Sequence, residues 1–130
     1  MKAPRNRSLD ILIVDDEKDV LDVLKEMIEL IGHRVTATVS PKEAIEIAGR
    51  KKFDIIITDI TMPGLTGWEL LARMKEIGVS APVLLISGRA DSIPGERIAA
   101  EGGAGILPKP FRLDDLRSTI RGLIEKEGTG

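Results

Sequence analysis

Five short aliphatic runs, each followed by an amphipathic stretch, divide the chain from end to end and narrow the folds open to it. The runs lie at residues 11–14, 35–37, 54–58, 83–86 and 104–107. Three of them are almost wholly aliphatic, as strands covered on both faces of a parallel sheet should be. The stretches between them have helical spacing. In the first, Val20, Leu24, Met27, Ile28 and Ile31 make an apolar stripe opposite Lys18, Asp22, Lys25 and Glu29. The second opens with Ser40-Pro41-Lys42-Glu43, which predicts a capping box with proline at the first helical position. The third opens with Thr66-Gly67-Trp68-Glu69, a second such box, and runs on through Leu70, Leu71, Met74 and Ile77. The fifth carries Leu113, Leu116, Ile120, Leu123 and Ile124. The fourth is the weakest, with Pro94-Gly95 at its start and Gly102-Gly103 at its end, and is predicted to be short and locally less stable. Five β-then-α units with short connections predict one α/β domain, a doubly wound parallel sheet between two layers of helices.

Composition narrows the function. With only Trp68, Phe53 and Phe111 as aromatics, the core must be aliphatic. The absence of cysteine excludes disulfide and thiolate chemistry. A formal charge of −2 gives no global pull toward nucleic acid. No apolar stretch approaches the about 20 residues of a membrane span, and the basic start at Lys2, Arg5 and Arg7 lacks the apolar run of a signal peptide. The expectation is a cytoplasmic protein with an N-terminal tail over residues 1–8, a domain over 9–127 and a C-terminal tail over 128–130. No effector domain is expected within the sequence as given.

In open α/β sheets ligands gather at the carboxyl ends of the strands, where strand order reverses. The first strand ends in Asp15-Asp16, the third in Asp59, the fourth in Ser87, and the fifth in Lys109 between Pro108 and Pro110. Three carboxylates, a hydroxyl and an ammonium would share one rim. Close carboxylates repel, so at least one pKa should rise unless a cation joins them. A hard oxygen cluster of this kind suits Mg²⁺, which takes one or two carboxylates, waters and phosphate oxygens. Lys109 and Ser87 would supply a charge and a donor to a phosphoryl group. Singly, each residue has a plainer role: Asp16 as a helix cap, Asp59 and Ser87 as turn residues, Lys109 as a solvated charge. Their joint occurrence at four strand ends favours the chemical reading. His33, beside Gly32, reads as a helix-end residue, and Trp68 as packing.

The segments Ile11-Leu12-Ile13-Val14-Asp15-Asp16-Glu17, Thr58-Asp59-Ile60-Thr61-Met62-Pro63, Gly67-Trp68-Glu69-Leu70, Ile86-Ser87-Gly88 and Lys109-Pro110-Phe111 resemble, in order and spacing, the receiver domain of two-component response regulators. That resemblance implies a flavodoxin-like, CheY-like fold with strand order 2-1-3-4-5 and five helices. It implies Asp59 as phosphoacceptor, with Mg²⁺ held by Asp15, Asp16, Asp59 and the backbone carbonyl of Thr61, and Ser87 and Lys109 on the phosphoryl group. It implies a cis Lys109–Pro110 bond that aims the lysine inward. The donor would be a phosphohistidine on a histidine kinase or histidine phosphotransfer protein. An output partner would bind at the fourth helix, fifth strand and fifth helix, without direct binding of nucleic acid or membrane. The domain would catalyse its own phosphorylation and hydrolysis and serve mainly as a switch.

The chain departs from the family at Ile106, where many receivers carry an aromatic switch residue, and at Ala104-Gly105, where many DNA-binding regulators carry acidic residues used in dimer ion pairs. Arg89 and Thr61 stand where the family tunes dephosphorylation. The main alternative is a receiver-like interaction module that works without phosphorylation. An aspartyl-phosphate phosphohydrolase would need a second carboxylate two residues after Asp59, where Thr61 stands. Nucleotide or flavin binding lacks its glycine-rich loop after the first strand.

Overall fold

The computed structural model describes residues 8–129, with side chains through residue 125. The elements alternate as predicted: β1 (Asp10–Val14), α1 (Lys18–Ile31), β2 (Arg34–Thr38), α2 (Pro41–Arg50), β3 (Ile55–Asp59), α3 (Gly67–Glu76), β4 (Val83–Ser87), a 3-10 turn (Ala90–Ser92), α4 (Gly95–Ala100), β5 (Gly105–Pro108) and α5 (Leu113–Thr129). All five strands are parallel, in the order β2-β1-β3-β4-β5. Residues 1–7 of the expected N-terminal tail lie outside the described residues, while the Ser8 hydroxyl donates to the Gly32 carbonyl at 2.9 Å.

Side chains alternate across a strand, and this alternation builds two cores. Ile11 and Ile13 of β1, Ile55 and Ile57 of β3, and Leu84 and Ile86 of β4 pack with Leu21, Leu24 and Ile28 of α1 and Leu116, Ile120 and Leu123 of α5. Leu12, Val14, Ile56, Val83 and Leu85 pack against Ala44 of α2, Leu70, Leu71 and Met74 of α3, and Ile98 of α4. Each fully buried aliphatic side chain contributes about 1.5–3 kcal/mol relative to exposure, which makes the three inner strands the anchor of the domain. The edge strands β2 and β5 are less buried.

Several local expectations are refined. In α1 the buried stripe is Leu21, Leu24 and Ile28, while Val20 is only half-buried. The Thr66–Glu69 box closes in both directions, with Thr66 Oγ1 accepting from the Glu69 amide and Glu69 Oε1 accepting from the Thr66 amide. The box predicted at Ser40 closes only halfway: Ser40 Oγ accepts from the Glu43 amide, but Glu43 Oε1 is taken by the Thr38 hydroxyl at 2.7 Å. The buried Thr38 hydroxyl needs an acceptor, and the half-buried Ser40 amide is not left without one, because Thr38 Oγ1 accepts from it. Ile77 caps α3 and is 49% exposed rather than continuing the apolar stripe, because the chain turns away at Gly78 with φ 84°. The fifth helix runs through Gly128 to Thr129, past its predicted end. One glycine costs a helix about 1 kcal/mol relative to alanine and does not forbid it.

α4 is short, as predicted: six residues with Ile98 alone buried and no side-chain cap at Pro94. Among the described residues no helix is long and apolar enough to cross a membrane. Strand order reverses between β1 and β3, so their adjacent carboxyl ends form the crevice in which such folds hold ligands.

Candidate active site

Asp15 follows β1 and Asp59 ends β3, both on the floor of this crevice and both buried, at 3% and 7% exposure. Lys109 enters from β5, one strand beyond β4. Its amide donates to the Ser87 carbonyl at 2.9 Å, and its peptide to Pro110 is cis, as the family resemblance implied. The ammonium donates to Asp59 Oδ2 at 2.9 Å and lies 3.9 Å from Asp15 Oδ2. The three groups that carry most of the charge thus meet at one point. Ser87, 4% exposed, sits at the end of β4, paired in register with Pro108.

The electrostatics follow from this packing. Burial pushes the Asp15 carboxyl up; its bond from the Glu17 amide and the Lys109 charge pull it down, while Asp59 and Asp16 push it further up, and the net direction is upward. Burial pulls Lys109 down, but the hydrogen bond and charge of Asp59, with Asp15 and Glu17, outweigh it and raise the lysine. The site therefore holds more negative charge than one ammonium balances comfortably.

Asp16 is half-buried beside Asp15, close enough for its charge to act on that carboxyl, but Lys109 forms ion pairs with Asp15 and Asp59. Among the described residues, two of the three carboxylates therefore pair with Lys109. Among the described residues no three acidic, imidazole or thiol groups stand together as a ready metal cage. Nor does Asp16 cap α1: the N-cap residue is Glu17, without a side-chain cap bond, and the Glu17 amide is taken by Asp15 Oδ1 at 2.9 Å.

The plainer turn roles are present alongside the chemical ones. Asp59 Oδ1 accepts from the Thr61 amide at 3.1 Å, which leaves Oδ2 for the lysine. Ser87 Oγ accepts from the Arg89 amide at 2.9 Å, so its own O–H remains available to donate. Thr61 and Arg89 are exposed at the rim. His33 ends α1, its amide donating to the Ile28 carbonyl at 3.2 Å, while its Nδ1 accepts from the Leu9 amide. Trp68 packs partly buried against the α3 side of the core.

Sequence reasoning did not find the tight seat of α3. The Gly67 amide donates to the Ile60 carbonyl at 2.8 Å, and a Cβ on Gly67 would lie 2.7 Å from Ile60 Cα and run into the Asp59 carbonyl oxygen. The available signal was glycine at the first position of a capped helix, where it gains nothing in helix propensity.

Comparison with known proteins agrees with this geometry. Residues 11–121 match the response regulator receiver domain family. The response regulator MprA of Mycobacterium leprae is 34% identical over 118 residues, 89% of this chain and 51% of the relative. A response regulator receiver domain protein of Clostridium thermocellum superposes with a TM-score of 0.82 at 30% identity, covering 91% of this chain and 95% of that one. The receiver domain of the sensor histidine kinase PA1611 of Pseudomonas aeruginosa, crystallised with a magnesium ion coordinated in its active-site cleft, shares the fold with a TM-score of 0.79 at 24% identity, covering 92% and 99% of the two chains. The chain spans about half the length of the curated relatives it matches. With this sheet order, this crevice and a match running from β1 into α5, the chain belongs to the response regulator receiver domain family.

Proposed function

We propose that this domain takes a phosphoryl group onto Asp59 from a phosphohistidine of a histidine kinase or histidine phosphotransfer protein, with Mg²⁺, and thereby alters its binding to an output partner. The observation that carries the reading is the buried Asp59 carboxylate with the Lys109 ammonium 2.9 Å away, at the strand-order reversal. An oxygen of Asp59 attacks phosphorus, the P–N bond breaks, and its electron pair returns to the imidazole of the donor. The product is an acyl phosphate, which water later hydrolyses to the carboxylate and inorganic phosphate. Lys109 pairs with a phosphoryl oxygen, and the Ser87 hydroxyl donates to another.

The residues fit a magnesium ion. Two buried carboxylates share one lysine, and the Asp15 carboxyl is held up by burial and by neighbouring acids, a strain that added positive charge relieves. Mg²⁺ needs only one or two carboxylates, with waters and phosphate completing its shell, so a ready cage of three acids is not required. Asp15, Asp16, Asp59 and the Thr61 carbonyl would hold it, and when bound it would neutralise charge on the transferring group. The magnesium ion in the active-site cleft of the Pseudomonas receiver is in keeping with an ion of this kind at this end of the fold.

A docking module that works without phosphorylation would have no use for two buried carboxylates, which cost free energy unless a function retains them. The cytoplasm is the proposed location. The proposed output surface is α4, β5 and α5, and neither nucleic acid nor membrane is a proposed ligand, in keeping with a net charge of −2. The test is labelling with acetyl phosphate and Mg²⁺, read by mass spectrometry. Wild type should gain one phosphoryl group and Asp59→Asn none; undiminished labelling of the variant would overturn the assignment.

A further inference from the structure

Arg97 of α4 lays its guanidinium over the ring of Trp68 in α3, with Cζ 4.2 Å from the ring centroid. Neither side chain touches the Lys109 ion pairs, yet both are built onto the same site from opposite ends. Trp68 follows Gly67, which is wedged against the main chain of Asp59 and Ile60 with no room for a Cβ. The closed Thr66–Glu69 box locks the same turn. The start of α3 is therefore seated directly on the main chain of Asp59 and Ile60.

The start of α4 hangs from the site by a softer connection. Ser87 Oγ accepts from the Arg89 amide. The Arg89 carbonyl accepts from the Ser92 amide and hydroxyl, and Pro94 then opens α4 without a side-chain cap. With Ile98 its only buried residue, α4 is joined to the α3 layer by that one apolar side chain and by the stack of Arg97 on Trp68.

We propose that Trp68 and Arg97 form a positioning pair that holds α4 against α3 in the resting domain and yields when Asp59 is phosphorylated. This rests on the phosphoacceptor reading of Asp59. When the Ser87 hydroxyl moves to donate to a phosphoryl oxygen, the Arg89 amide that its Oγ holds is drawn with it, and the Ala90–Ser92 turn and the head of α4 follow. Gly67 keeps α3 from following, so the displacement falls on the stacked pair. Ile106, stiff at χ1 and only partly buried in the same layer, offers no ring flip to absorb it.

The test compares wild type, Arg97→Ala and Arg97→Lys, each with and without beryllium fluoride and Mg²⁺, by amide exchange and by the fluorescence of Trp68, the sole tryptophan. In wild type the mimic should shift Trp68 emission and speed exchange in residues 97–103. Arg97→Ala should already exchange about three- to fivefold faster there without the mimic, and gain little more with it. Arg97→Lys, which keeps the cation, should recover part of the wild-type step. An equal mimic-induced step in wild type and Arg97→Ala would overturn the proposal. A wild-type Thr61 amide blind to the mimic would remove the phosphoacceptor reading itself, and this inference with it.

Discussion

Lys109 and Asp15 lie 3.9 Å apart, yet the lysine gives its hydrogen bond to Asp59 at 2.9 Å. The ammonium serves two carboxylates and satisfies one of them better. This unequal sharing leaves Asp15 as the acid whose charge is least well compensated, and burial aggravates it.

Replacing Asp15 with asparagine should therefore stabilise the metal-free domain. The folded carboxyl has a raised pKa, so its charged form is a burden at neutral pH that lessens as pH falls toward the unfolded value. Asp15→Asn should raise Tm by a few degrees in EDTA and weaken Mg²⁺ binding at least tenfold by calorimetry. A lower Tm in EDTA would show that the bond to the Glu17 amide outweighs the repulsion.

Gly67→Ala should cost about 1–3 kcal/mol in urea denaturation, since the added methyl meets backbone that cannot yield. It should also slow labelling of Asp59, whose carbonyl it displaces. Gly95→Ala is the control: nothing lies within 4 Å of its Cβ position, and alanine favours helix, so stability should stay level or rise by up to about 1 kcal/mol.

His33 should make stability depend on pH near neutrality. Burial lowers its pKa, Asp54 opposes that and Arg34 adds to it; the neutral ring is the form whose Nδ1 accepts from the Leu9 amide at 3.1 Å. A histidine with a lowered folded pKa contributes stability that is complete above its unfolded value of about 6.5 and is lost as pH falls below it. Denaturation of wild type should show that loss below about pH 6.5. His33→Phe should be less stable at neutral pH and flat across the same interval.

Arg89→Ala should change the lifetime of the acyl phosphate by up to about tenfold, or roughly 1.4 kcal/mol of barrier, with little effect on labelling. The Arg89 amide is held by Ser87, while its exposed side chain stands at the rim, free to shield or admit water. Phosphate release after removal of the donor measures it. An unchanged lifetime would leave Arg89 as a solvated charge.

The alternation of aliphatic runs with amphipathic stretches determined the parallel α/β sheet, because backbone pairing and two-sided burial leave a strand such as Ile55–Asp59 few other places to go. The same reading put Asp15, Asp59, Ser87 and Lys109 on one rim, since residues at the carboxyl ends of parallel strands converge whatever their side chains do. Local spacing does not reveal which of two adjacent acids turns inward, nor that Glu43 would abandon Ser40 for the Thr38 hydroxyl. Those outcomes depend on which polar groups are buried together, and burial is a property of the packed layers. The wedge at Gly67 and the stack of Arg97 on Trp68 join segments that meet only once the helices have docked, and docking is what tertiary structure alone decided.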